Sequence, residues 1–222
     1  MSKPSVVVVG ASGHARVILE IIRSEDRYEI VGLVDSFKPV GTELAGFRVL
    51  GDEAFLASAV RLGDIQGVIV GIGDNAIRSR ITANLSAAMP GLTFFAAIHA
   101  RATVSPDSVI GPGTVVMAGA VVNPGCTIGE GCIINTNASI DHDGRMDDFS
   151  SLAPACSTGG NVSIGTHSAI GIGAILFHAI NVGEHTVIGG GAVVTRDIPA
   201  CSVAMGVPAR VVRQREPGQR YL

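Results

Sequence analysis

Every sixth residue from Ile98 to Val194 is aliphatic with a single exception, Thr158, and the register runs without an insertion. It passes through Val104, Ile110, Val116, Val122, Ile128, Ile134, Ile140, Met146, Leu152, Ile164, Ile170, Leu176, Val182 and Ile188. Four residues after most of these comes a small side chain, among them Ala120, Cys126, Cys132, Ala138, Ser150, Cys156, Ser168, Ala174 and Ala192. Helices repeat near 3.6 residues and ordinary strands at 2, so a sustained period of six fits neither. It fits a parallel β-helix in which each hexapeptide is a short strand and a turn, and three hexapeptides close one triangular coil. Aliphatic side chains then stack inside the prism, the small ones fit beside them, and glycines or asparagines allow the corners.

The first 95 residues follow other periods. SVVVVG ends a short apolar run on glycine, as a buried parallel strand does. His14 to Arg23 then carries Val17, Ile18, Ile21 and Ile22 as one helical face. YEIVGLVDS ends a second strand at Asp35, GVIVG (67 to 71) is a third, and Asp74 or Asn75 can cap a helix striped by Ile77, Ile81 and Leu85. This is a β-α-β unit of the nucleotide-binding type. The expected division is a Rossmann-like α/β domain at 1–95, a β-helix at 96–213 and a loose tail, EPGQRYL, within 214–222.

A net charge of −3 with 4% aromatic residues and no basic block excludes nucleic acid as a partner. No apolar run is long enough for a signal peptide or a membrane span, so a cytoplasmic protein is expected. Cys126, Cys132 and Cys156 occupy the small inward position, and with Cys201 they form no CxxC pair; reduced, structural thiols are the default.

The stretches GASGHA (10 to 15), VDSFK (34 to 38), GIGDNAIR (71 to 78), INTNASIDHD (134 to 143), GGNVSIG (159 to 165), IGGGAVV (188 to 194) and GVPAR (206 to 210) occur in the order of one family. The chain resembles the left-handed β-helix acetyltransferases that acetylate nucleotide-linked 4-amino-4,6-dideoxy sugars of the perosamine and bacillosamine type. That resemblance implies acetyl-CoA as co-substrate, a GDP- or UDP-linked amino sugar as acceptor, left-handed coils and a homotrimer with active sites between prisms. It is also similar to the sialic acid O-acetyltransferases.

His142 falls two residues after inward Ile140, near a corner and facing outward, and Gly160, eighteen residues on, stacks beside it one strand spacing away, roughly 5 Å. Amide formation from a thioester needs a group to take the amine proton and a donor for the oxyanion. By resemblance His142 is the general base, Asp143 its orienting partner and the Gly160 N–H the contact to the acetyl carbonyl. Asp141 competes with Asp143, and spacing does not separate the two. No acyl-enzyme is required.

The resemblance further assigns Ser12, Gly13, His14, Asp35, Ser36, Gly73 and Asn135 to the sugar nucleotide, with Ser36 standing where an acidic residue is familiar. It assigns Ser151, Ile172, Gly173, Gly190, Val207 and Arg210 to the coenzyme. His178 repeats the corner of His142 two coils on, in a spacing that resembles the metal site of β-helical carbonic anhydrases. Two coils are roughly 10 Å apart, and Gly183 stands where a third histidine would be needed, so no metal is expected. A pure scaffold is the remaining alternative, and it would leave thioester cleavage absent.

Overall fold

The computed structural model describes residues 3–220. The chain divides into two compact units, Met1–Gly73 with Ile77–Ala100, and Asp74–Ala76 with Arg101–Leu222.

In the first unit β1 (Ser5–Val9) leads into α1 (Gly13–Glu25) and β2 (Glu29–Val34). The hairpin β3 (Glu43–Leu44) and β4 (Phe47–Gly51) follows, then α2 (Glu53–Leu62), β5 (Gly67–Val70), α3 (Asn75–Ala88) and β6 (Ala97–Ile98). The sheet runs β3-β4-β2-β1-β5, parallel except for the β3–β4 pair. Val7 and Val9 pack with Leu56 and Ala59 of α2 and Leu85 of α3. On the other face, Val8 lies against Ala15 of α1 at Gly71, where a side chain would strike both. Within α1, Ile18, Leu19, Ile21 and Ile22 are buried, whereas Val17, expected on the apolar face, is 38% exposed. The sheet grows from β1 through β2 to β4 and then returns to β5 on the far side of β1. Ligands of open α/β sheets bind at such a reversal, outside the carboxyl ends of the strands.

Sixteen two-residue strands, β7 to β22, recur every six residues from Thr103–Val104 to Val193–Val194 and form a three-faced prism. Every third strand pairs in parallel, so that Val122 stacks on Val104 and Ile140 on Val122. A final antiparallel pair, β23 (Ser202–Gly206) and β24 (Ala209–Gln214), extends one face. The hexad residues from Val116 onward are buried, Thr158 included.

Two devices hold the coils. One residue per hexad, from 113 through 191, has a positive φ, which turns the chain at the corner. Glycine and asparagine fill many of these corners as expected, but Asp143, Phe149, Ala155, His167, Ala179 and His185 adopt the same conformation. A left-handed backbone costs a residue with a Cβ about 1–2 kcal/mol, which the stacked coils on either side must offset. The second device is a column of hydroxyls at the small position. The Ser168 hydroxyl donates to the Gly183 carbonyl at 2.6 Å and accepts the Thr186 N–H at 2.9 Å; Thr114 does the same with Gly129 and Cys132.

The tail is not loose as far as it is described. Arg215 is buried and donates to the carbonyls of His185 and Gln219, and Gln219 N–H closes a turn onto Glu216. Among the described residues no helix is long and apolar enough to cross a membrane.

Candidate active site

The corner after Ile140 carries an oriented imidazole. Asp143 takes a φ of 57° there, a conformation that aspartate tolerates better than most residues, and its Oδ2 lies 2.8 Å from His142 Nδ1. Asp141, the rival from spacing, is otherwise engaged: its Oδ1 accepts the backbone N–H of His142 at 2.8 Å and the side-chain amide of Asn123 at 3.1 Å. The hydrogen bond from Asp143 raises the His142 pKa above the ordinary histidine value, with the charge of Asp141 adding to it. A carboxylate on Nδ1 leaves Nε2, which lies over Gly160, as the basic nitrogen.

Gly160 sits under this ring. Asn161 N–H donates to the His142 carbonyl at 2.9 Å, which locks the two corners in register. A Cβ placed on Gly160 would fall 2.5 Å from Cε1 and 2.9 Å from Cδ2 of His142, far inside van der Waals contact. The third corner of the column brings His178 closer than two full coils. Its ring centroid is 6.3 Å from that of His142, because both rings lean over the bare glycine between them. The two rings are thus closer than the roughly 10 Å that two coils imply, although among the described residues no group of three His, Cys, Asp or Glu side chains could hold one ion.

Cys126, Cys132 and Cys156 are buried in the prism. Burial pushes the Cys156 thiol up to about 11 and raises Cys126 as well, which leaves neither as a nucleophile.

In the first unit the loop after β1 opens α1 with Ser12 at the N-cap, where the side chain makes no capping bond and no acidic residue occupies the first turn. The helix start is thus open to an anion. His14 packs beside Gly73, and burial, followed by the nearby Arg78, lowers its pKa to about 4. Asp35 directly follows β2. Its Oδ2 accepts Ala11 N–H at 2.8 Å and its Oδ1 accepts Phe37 and Lys38 N–H at 2.8 and 3.0 Å, so the carboxylate ties two loops together. The Ser36 hydroxyl bonds the carboxylate of Glu53, the first residue of α2, so an acidic group stands at Ser36 after all. Sequence reasoning missed Glu53, although Asp52 before it is a helix N-cap signal.

Of the residues assigned to the coenzyme, Ile172, Gly173 and Gly190 share one corner on successive coils, and Val207 and Arg210 lie at the β23–β24 turn. Ser151 is apart from these: its hydroxyl accepts from Asn75. Asn135 is in the turn after Ile134, where its side chain accepts Thr136 N–H. A depression of about 600 Å³ lined by Asp147, Ser163, Asn181 and Asp197 includes none of the residues assigned from sequence.

Residues 5–85 match the family model described as the PglD N-terminal domain, and residues 107–142 match the bacterial transferase hexapeptide of six repeats. No curated protein matches the chain. Among solved structures, perosamine N-acetyltransferase from Caulobacter crescentus, in complex with CoA and GDP-perosamine, is 34% identical with a TM-score of 0.88, over 96% of this chain and 99% of that one. The acetyltransferase domain of PglB from Neisseria gonorrhoeae, in complex with acetyl coenzyme A, is 36% identical with a TM-score of 0.87, over 95% and 100%. WeeI from Acinetobacter baumannii, at 24% identity and a TM-score of 0.77, shares the fold. With an α/β unit, a hexapeptide prism and two such relatives matched nearly end to end, the chain belongs to the left-handed β-helix sugar N-acetyltransferases of the perosamine and PglB type.

Proposed function

We propose that the protein moves acetyl from acetyl-CoA to the 4-amino group of a nucleotide-linked 4-amino-4,6-dideoxy sugar. The observation that carries this reading is the Asp143–His142 pair at 2.8 Å stacked on Gly160. The sugar amine attacks the thioester carbonyl directly while His142 Nε2 takes its proton, and the Gly160 N–H stabilises the oxyanion. The open start of α1 at Ser12, Gly13 and His14 holds the diphosphate, with Gly73 beside it and with Ser36 and its Glu53 partner toward the nucleoside. Asp35 positions these loops. Ile172, Gly173, Gly190, Val207 and Arg210 take the coenzyme. The active form is a homotrimer, and the reaction belongs in the cytoplasm, where both substrates are found.

The test is thiol release from acetyl-CoA with GDP- and UDP-linked 4-amino-4,6-dideoxyhexoses and with free sialic acid. Turnover with an amino-sugar nucleotide, lost by about 10²-fold or more in His142→Ala, is expected. Turnover with sialic acid alone would overturn the amine reading, and near-normal turnover in the variant would overturn the role of His142.

A further inference from the structure

His178 has no part in the reading above, yet it shares the corner column with the base. Ala179 N–H donates to the Gly160 carbonyl at 2.9 Å, as Asn161 does to His142, so the three corners are bonded in register. The two imidazoles stand 6.3 Å apart across Gly160, inclined by 44°. They differ in setting. His142 is held by a carboxylate, whereas His178 has neither a hydrogen bond nor an ion pair among the described residues. The charged groups around the column are Asp141 and Asp143 on the first coil and, by the pairing of Leu176 with Val194, Arg196 on the coil after His178. The coil that ends at His178 also exposes Ile172 at 66%, Ile175 at 45% and Phe177 at 52%. These make an apolar approach suited to the arm of an acyl thioester, and its sulfur end would arrive on the His178 side.

We propose that His178 is the general acid that protonates the departing thiolate, dividing the proton work with His142. This rests on the acetyl-transfer reading. The amine nitrogen forms a bond to the thioester carbon, the carbonyl π pair moves to oxygen, and His142 removes the proton from nitrogen. The oxyanion pair then re-forms the carbonyl, the carbon–sulfur bond breaks with its pair on sulfur, and the sulfur takes a proton from His178. Amide and free thiol leave; His142 returns its proton to solvent and His178 regains one. The Asp143 hydrogen bond that makes the His142 imidazole a stronger base makes its imidazolium a poorer acid, which leaves protonation of sulfur to the second ring of the column.

The experiment is the pH dependence of kcat, with KM for both substrates, for the wild type, His178→Ala and His178→Gln, the last keeping a hydrogen-bond donor that cannot transfer a proton. Both variants are expected to lose about 10²-fold or more in kcat at unchanged KM. Both should keep the rise of kcat with pH that reports the loss of the His142 proton. Wild-type turnover with either variant within threefold of it, full activity in the glutamine variant, a kcat that no longer rises with pH, or a loss confined to KM would each overturn the role of His178 alone. Absence of wild-type turnover would overturn the acetyl-transfer reading, and the role of His178 with it.

Discussion

Gly160 is defined by what it lacks. Its φ lies outside the left-handed region, so an alanine there meets no backbone strain, but the added Cβ must share space with the His142 ring. The ring has to move by about an ångström to restore van der Waals contact, and displacements of that size cost about 10²-fold in well-positioned sites. Gly160→Ala is therefore expected to lower kcat about 10²-fold while the melting temperature stays within a few degrees. Activity within threefold of wild type would show that the imidazole tolerates the displacement. The hexad frame made the Gly160 neighbourhood readable, because residues eighteen apart must stack. It did not decide between Asp141 and Asp143, since the choice depends on the left-handed φ of Asp143, which swings its carboxylate back onto Nδ1 while Asp141 is drawn to Asn123. Nor did it anticipate the lean of His178, which is a side-chain freedom granted by the empty position between the rings.

At the scale of the element, the prism is a column of strands too short to stand alone, and each coil is secured by the next. Thr158 breaks the aliphatic hexad without leaving its hydroxyl unsatisfied: it accepts the Asp141 N–H at 3.1 Å. Ser168 shows how much such a hydroxyl carries. It is fully buried, and removing it strands both the Gly183 carbonyl and the Thr186 N–H. With each buried polar group left unpaired costing about 1–3 kcal/mol, Ser168→Ala should destabilise the chain by about 2–6 kcal/mol, measured by urea unfolding. A change below 1 kcal/mol would mean that water replaces the hydroxyl. The period was legible because it repeats; the hairpin of β3 and β4, whose first strand is only two residues long, and the helix α2 were not read. The signals of α2 were present in Asp52, whose side chain accepts the Ala54 and Phe55 N–H groups, and in Gly63, which closes the helix with a φ of 78°. The same omission hid Glu53 behind Ser36.

For the whole molecule, the α/β unit contains a titrating group whose cost is felt by the fold. His14 is half-buried beside Arg78 and stays neutral until about pH 4, while in the unfolded chain it takes a proton near the ordinary 6.5. Between those values the unfolded state binds more protons than the native one, so stability falls as pH falls through this window and is unaffected by His14 above it. At about 1.4 kcal/mol per unit, the full window is worth up to about 3 kcal/mol. Carboxylates also titrate here, and they do so equally in wild type and in His14→Gln. The difference between the two proteins in unfolding free energy, measured at pH 7 and again near pH 4.5, isolates the histidine. Wild type should lose about 2–3 kcal/mol more than the variant on acidification. Parallel losses would mean that the imidazole is hydrated and charges freely in the folded chain, and the start of α1 would then hold a cation in acid where a neutral ring now faces the expected diphosphate.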